Sequence, residues 1–230
     1  MPPSESNPFA AELAQLTEAL ALPGASLTRQ WLDNELLALW LLDIDDHLQL
    51  DTQAVGRFWQ TLPFWAFAWA GGRALASYIA NHHEVVAGKR VLDFGCGSGI
   101  AGIAAGMAGA EEVWVADLDP NALTAAKVNA ALNGIDIKVV SEGDWPEVDV
   151  VLAADVLYDI SSNEDLKALT LAVPEWLLAE SRNILKDKAG DFVALQCLDS
   201  VNSSTLPAIG DFDESVEIGI YCRQHQVTLN

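Results

Sequence analysis

The chain has 230 residues, of which 51% are hydrophobic and 20% charged, with 33 acidic against 12 basic side chains and a formal net charge of −21. That length suits one domain with room for an extension, and the apolar content is enough to bury a core, which excludes general disorder. So acidic a chain has little with which to neutralise a phosphate backbone, so a nucleic-acid partner is not expected, whereas a basic surface is attracted to it.

From the N-terminus, residues 1–9 are polar and Pro-rich, with no basic start and no apolar stretch of the signal-peptide kind, so a cytoplasmic location is expected. An amphipathic helix is expected over residues 8–22, ended by Pro23-Gly24, and a second, apolar helix over 27–42. The Asp-rich stretch 43–51 reads as a solvated connection, and an aromatic segment runs from Leu62 to Gly72. A helix is expected over 73–81. From residue 89 short apolar runs alternate with helical patterns, which implies a parallel sheet with helices on its faces. Strands are expected at 90–94, 112–116, 135–140, 148–154, 191–198 and 216–221. Helices are expected at 98–108, from Pro120 to about Asn133, and from Ser161 to about Lys188, the last interrupted at Pro174. Asp119 reads as the N-cap of the middle one, with Pro120 at its first position and Asn133-Gly134 closing it. Ser161 and Glu164 have the spacing of a capping box. No run reaches the roughly 18 apolar residues of a membrane span, so no membrane partner is expected. Cys96, Cys197 and Cys222 have no paired spacing, which points to reduced thiols and no metal site.

The informative run is Val91-Leu92-Asp93-Phe94-Gly95-Cys96-Gly97-Ser98-Gly99-Ile100. A strand that runs into glycines opening a helix is where a nucleotide-like ligand binds in an open α/β sheet. Two registers are available: Gly95, Gly97 and Gly99 as G-x-G-x-G, the S-adenosylmethionine type, or Gly97, Gly99 and Gly102 as G-x-G-x-x-G, the dinucleotide type of an oxidoreductase. The first is favoured because Gly95 directly follows the strand and because Asp93 precedes it, where a carboxylate repels a pyrophosphate and suits a cationic sulfonium. Asp117, 22 residues beyond Gly95, has the spacing of a carboxylate that accepts both ribose hydroxyls. Asp144 and Trp145 follow the third expected strand of the sheet. They are either an acceptor for the adenine amine and a cover for its ring, or an exposed turn residue and a packing indole.

Asp155-Val156-Leu157-Tyr158 follows the next strand, facing the crevice. Methyltransferases acting on planar amide or base nitrogens carry Asn/Asp-Pro-Pro-Tyr at such a place, and the prolines are missing here. For a lysine acceptor, Asp155 attracts and orients the ammonium, and Tyr158 hydrogen-bonds or walls the amine.

The aromatic segment Pro63-Phe64-Trp65-Ala66-Phe67-Ala68-Trp69-Ala70-Gly71-Gly72, the loop from Asp93 to Gly99 and Asp155-Val156-Leu157-Tyr158 together resemble the seven-β-strand protein lysine methyltransferases. The likeness covers residues 60–160 and is greatest to the electron-transfer-flavoprotein β-subunit lysine methyltransferase group, sometimes labelled nicotinamide N-methyltransferase-like. On residues alone Trp65 and Trp69 are core aromatics at helical spacing. The resemblance implies that Trp69 and Gly71 lie beside the methionine end of the cofactor. The alternating pattern gives an α/β, Rossmann-like, doubly wound and mostly parallel sheet over residues 61–230, in keeping with this resemblance, and the expected helices make residues 1–60 an N-terminal helical extension. The implied cofactor is S-adenosylmethionine, bound by Trp69, Gly71, Asp93, Gly95, Gly97, Gly99, Asp117, Asp144 and Trp145, with Asp155 and Tyr158 catalytic. The implied acceptor is a protein lysine. A small-molecule nitrogen or oxygen acceptor is the alternative, and a non-catalytic cofactor-binding or interaction module is the alternative of another class.

Overall fold

The computed structural model describes residues 8–32, 36–44, 52–140, 144–157, 163–188, 195–209 and 214–223. Helix α1 (Ala10–Ala19) forms inside the expected span. The apolar helix expected over 27–42 is instead an antiparallel hairpin of β1 (Ala25–Leu32) and β2 (Leu37–Ile44), in register from Ala25 opposite Ile44 to Leu32 opposite Leu37. Its physical reason lies in β2. Leu37, Leu39 and Leu41 enter one core while Leu42 enters another with Leu16, Leu20 and Phe58. A strand covered on both faces reads as a continuous apolar run, without the alternation that would separate it from a buried helix. Residues 45–51 of the expected connection lie outside the described residues, and helix α2 (Thr52–Gln60) follows them, unanticipated by the sequence reading.

The main sheet has seven strands: β3 (Arg90–Phe94), β4 (Glu112–Ala116), β5 (Lys138–Val139), β6 (Val150–Ala154), β7 (Glu175–Ser181), β8 (Leu195–Ser203) and β9 (Val216–Arg223). Their spatial order is β5-β4-β3-β6-β7-β9-β8. The first five run parallel, and β9 is antiparallel to both β7 and β8. Helices α3 (Ala70–Asn81), α4 (Ile100–Met107), α5 (Pro120–Leu132), α6 (Asn163–Ala172) and α7 (Arg182–Lys188) complete the chain. This is the expected doubly wound, mostly parallel, Rossmann-like sheet. The chain order turns about at β3, so a crevice opens beyond the carboxyl ends of β3, β4 and β6, where such sheets place ligands.

The long helix expected from Ser161 to Lys188 is a second correction. It breaks at Pro174 into α6, the buried strand β7 and α7. Trp176 and Leu178 enter one core, Leu177 and Ala179 the other. Again both faces are covered, and again the apolar run carries no alternation. Ser161 of the expected capping box lies outside the described residues. The strand expected at 135–140 shrinks to Lys138–Val139, and that expected at 191–198 is β8, which extends into the polar stretch to Ser203. Helix α3 begins at Ala70, three residues before the expected start. Among the described residues no helix is long and apolar enough to cross a membrane.

Two asparagines one turn apart, Asn129 on α5 and Asn133 at its C-cap, fasten the hairpin to the sheet domain. The Asn133 side chain accepts from the Ala38 N–H at 3.0 Å and donates to the Ala38 carbonyl at 2.7 Å. Asn129, fully buried, accepts from the Trp40 N–H at 2.7 Å and donates to the Ser98 carbonyl of the glycine loop at 2.9 Å. Asn129→Ala strands both partners, and each unsatisfied group costs about 1–3 kcal/mol. A loss of about 2–4 kcal/mol in urea unfolding with an unchanged slope is the expected result. A loss below about 1 kcal/mol would show that both groups find other partners.

Candidate functional site

The chain leaves β3 through three left-handed glycines, Gly95 (φ 67°), Gly97 (φ 50°) and Gly99 (φ 81°), a conformation that side chains resist. The N–H groups of Gly95 and Cys96 both donate to the Ala116 carbonyl at the end of β4, at 2.9 and 3.0 Å, which turns the loop over the sheet edge. A Cβ on Gly95 would sit 2.6 Å from Val156 Cγ1, and one on Gly99 would sit 2.9 Å from the Ala126 Cβ. One on Gly97 would meet nothing within 4 Å. Packing thus dictates the outer two glycines, while the middle one faces open space in the crevice. Gly102, third glycine of the alternative register, packs against β3: its N–H donates to Asp93 Oδ2 at 2.8 Å.

The acids divide by what holds them. Asp93 is 2% exposed and ties α4 to β3 through Gly102; burial lifts its carboxyl to about 7. Asp117 directly follows β4 and faces the loop, with Oδ2 accepting from Gly97 N–H and Oδ1 from Asp119 N–H, both at 2.9 Å; burial raises its pKa as well. Asp119 caps α5 by accepting from the Asn121 N–H at 2.8 Å, the role expected for it. Cys96 is buried, and its thiol is pushed up by that burial and by Asp93 and Asp117.

Asp155 stands where β6 leaves the sheet, in a left-handed conformation (φ 52°) that is costly for a residue with a Cβ. Its N–H donates to the Ala179 carbonyl at 3.1 Å, and its Oδ2 accepts from Gly72 N–H at 3.0 Å. A Cβ on Gly71 would lie 2.6 Å from Asp155 Oδ1, so only glycine lets the first turn of α3 approach this close. The end of that helix also favours a negative charge. Burial lifts the Asp155 carboxyl to about 6, against the pull of the Gly72 and Gly71 amides. The aromatic segment and the residue after β6 therefore meet, 83 positions apart in sequence.

Trp69 precedes α3; its indole donates to the Phe64 carbonyl at 2.8 Å, and its ring lies 5.5 Å from Phe64 and 5.4 Å from Phe67. Trp145 is 39% exposed with its ring 5.8 Å from Phe94, and Asp144 beside it is exposed. Tyr158 lies outside the described residues. The sequence reading missed Glu180, a fully buried acid at the end of β7, whose carboxyl is lifted to about 7 by burial and by Asp155.

Asp93, Asp155 and Glu180 bind protons more tightly folded than unfolded, where carboxyls titrate near pH 4. The folded chain thus holds more protons between about pH 4 and 7, and unfolding free energy falls as pH rises through that window. Asp149, paired with Arg90 and depressed to about 2, gives stability that is lost only on descent below about pH 4. Melting temperatures of the ligand-free chain are expected to decline from pH 5 to pH 7.5. A rise across that range would contradict the burial of these acids.

Comparison with known proteins bears on this geometry. Residues 75–187 match the family model described as ribosomal protein L11 methyltransferase (PrmA). The chain is 42% identical over 123 residues to the electron transfer flavoprotein beta subunit lysine methyltransferase of Danio rerio, covering 50% of this chain and 44% of that one. It is 33% identical over 165 residues to the ribosomal protein L11 methyltransferase of Dichelobacter nodosus, covering 70% of this chain and 55% of that one. The chain thus spans about half the length of the curated relatives it matches. The tRNA (uracil-54, C5)-methyltransferase of Pyrococcus abyssi shares the fold, with a TM-score of 0.52 at 16% identity over 85% of this chain and 44% of that one.

Proposed function

We propose that this chain, which carries a PrmA-like class I methyltransferase domain, transfers a methyl group from S-adenosylmethionine to a protein lysine. The observation that carries the reading is the meeting of Asp155 with Gly71 and Gly72 beside a glycine loop open at Gly97. The chain's own residues fit the cofactor. Gly97 leaves a cradle that a side chain would fill, and Asp117 reaches into the crevice with its carboxylate oriented by two backbone N–H groups. Buried acids around the loop favour a cation over a phosphate. Gly95, Gly97, Gly99 and Asp117 would hold the nucleoside side, with Asp144 and Trp145 at the adenine. Trp69, Gly71 and Asp93 would form the methionine side. When bound, the cofactor supplies an electrophilic methyl on a sulfonium.

The residues of the chain prepare the acceptor. Asp155 attracts a lysine ammonium and, held by Gly72, orients its nitrogen toward the crevice. A carboxyl lifted to about 6 is ionised at neutral pH yet basic enough to take part in removing the ammonium proton. Tyr158 walls or hydrogen-bonds the amine. The relatives named for lysine methylation favour this acceptor over a small molecule. The net charge of −21 favours a basic protein surface over a nucleic acid. Residues 1–60 form an extension to a catalytic domain of residues 61–230.

Incubation with tritiated S-adenosylmethionine and cell lysate, followed by gel and mass spectrometry, tests the reading. A discrete labelled protein with methyl-lysine is expected. Label in small molecules alone, or none at all, would reject it. Asp117→Ala is expected to weaken binding of S-adenosylhomocysteine by about 2 kcal/mol in calorimetry, the scale for losing a charged hydrogen-bond acceptor. Unchanged affinity would remove Asp117 from the cofactor site.

A further inference from the structure

The turn that leaves β6 is held from the neighbouring strand. Asp155 donates its N–H to the Ala179 carbonyl at 3.1 Å, and two residues on, the Leu157 N–H donates to Glu180 Oε2 at 3.3 Å. The other oxygen, Glu180 Oε1, accepts from the Ser181 N–H at 2.9 Å. Glu180 is 1% exposed. These bonds hold the turn at both ends of the step Asp155-Val156-Leu157, where the left-handed backbone at Asp155 needs support. A carboxylate presents one oxygen to each of these N–H groups, which a neutral amide with its single oxygen cannot do. A carboxyl does more than hold the turn: it adds negative charge behind the place where the acceptor nitrogen arrives. In that desolvated setting a charge acts over several ångströms with little screening. From the other side, α3 offers Asp155 the N–H of Gly72 and the close backbone of Gly71, while Arg73 donates to the Ser204 carbonyl at 2.6 Å.

We propose that Glu180 is a positioning residue of the acceptor site, fixing the turn from Asp155 to Leu157 and laying a second buried carboxyl behind Asp155, so that the pocket recognises a cationic primary amine in preference to a neutral amide or hydroxyl. The inference rests on the methyl-transfer reading above and narrows its acceptor chemistry. The electrostatics support it: the Glu180 carboxyl is raised by burial and by the neighbouring charge of Asp155. An arriving ammonium relieves the repulsion between them; a neutral acceptor does not.

Two measurements on the full chain with S-adenosylhomocysteine bound test the geometry without any acceptor. Carboxyl-carbon NMR titration is expected to show the Glu180 midpoint falling in Asp155→Asn, and an unmoved midpoint would overturn the pairing. Hydrogen exchange at the Leu157 amide is expected to quicken in Glu180→Gln, whose single oxygen cannot serve both N–H groups; unchanged exchange would overturn the positioning role. A third measurement uses poly-L-lysine and labelled S-adenosylmethionine. Glu180→Gln is expected to raise the KM for poly-L-lysine at least tenfold while the KM for the cofactor stays within twofold. Equal losses for both would mark Glu180 as merely structural. If the wild-type chain does not label poly-L-lysine, the amine recognition proposed here falls together with the lysine reading of the reaction. Label on poly-L-lysine with an unmoved Glu180 midpoint sinks the role of Glu180 alone.

Discussion

Asp155→Asn is expected to cut methyl transfer by about 10²- to 10⁴-fold, the range for removing a positioned proton-transfer group, with affinity for S-adenosylhomocysteine changed less than about threefold. The substitution keeps shape and one acceptor oxygen, so the Gly72 N–H retains its partner at the first turn of α3. What disappears is the charge that draws in an ammonium and the basicity that receives its proton. The Gly71 amide loses its share of the carboxylate, a local cost set against the removal of a partly buried charge. An ionised, partly buried carboxylate is exchanged for a neutral amide, so the melting temperature at pH 7 should change little. The pH profile gives a second reading of the same event. In the wild-type chain the rate should drop as pH falls through about 6, because protonation of Asp155 removes the acceptor for the amine proton. In Asp155→Asn that limb should vanish, leaving only the dependence set by the amine itself. A variant with normal turnover, or one that keeps the limb near pH 6, would place the chemistry elsewhere.

The half of the fold that carries the cofactor was legible because its elements are short and punctuated. Gly95 ends β3, Asp119-Pro120 starts α5, and Asn133 with a left-handed Gly134 ends it; each mark has one local cause. The two strands misread as helix share one physical origin. At β2 and at β7 both faces are buried, so the period-2 signal is erased and an apolar run reads as a helix. The second error hid a functional candidate. On a helix ending near Lys188, Glu180 passes for a solvated surface acid, whereas on β7 its carboxyl accepts from the Leu157 N–H, two residues past Asp155. The closeness of Gly71 to Asp155 and the bridging by Asn129 are tertiary facts with no local sequence signature. The family resemblance pointed Gly71 to the methionine end of the cofactor and indicated neither of them.

Gly97→Val is expected to abolish cofactor binding with a much smaller effect on folding, a separation that its flanking glycines do not allow. At Gly95 and Gly99 an added Cβ collides with Val156 and Ala126, so a loss of binding there says nothing about the ligand. At Gly97 an added Cβ meets no part of the chain within 4 Å. The intramolecular cost is confined to the backbone. A β-branched residue at φ 50° is strained by about 1–3 kcal/mol, which a domain of this size can absorb, and the bond from the residue-97 N–H to Asp117 survives a change of side chain. The intermolecular cost is steric: two methyl groups occupy the path by which a ligand approaches the loop backbone. Affinity for S-adenosylhomocysteine should fall by at least about 100-fold, equivalent to roughly 2.7 kcal/mol, while circular dichroism and the cooperative unfolding transition persist. Gly97→Ala should fall between, since one methyl group brings most of the strain but only part of the obstruction. If Gly97→Val bound normally, the open face of the loop would be a solvent-facing bend, and the cofactor crevice would have to lie elsewhere along the sheet edge.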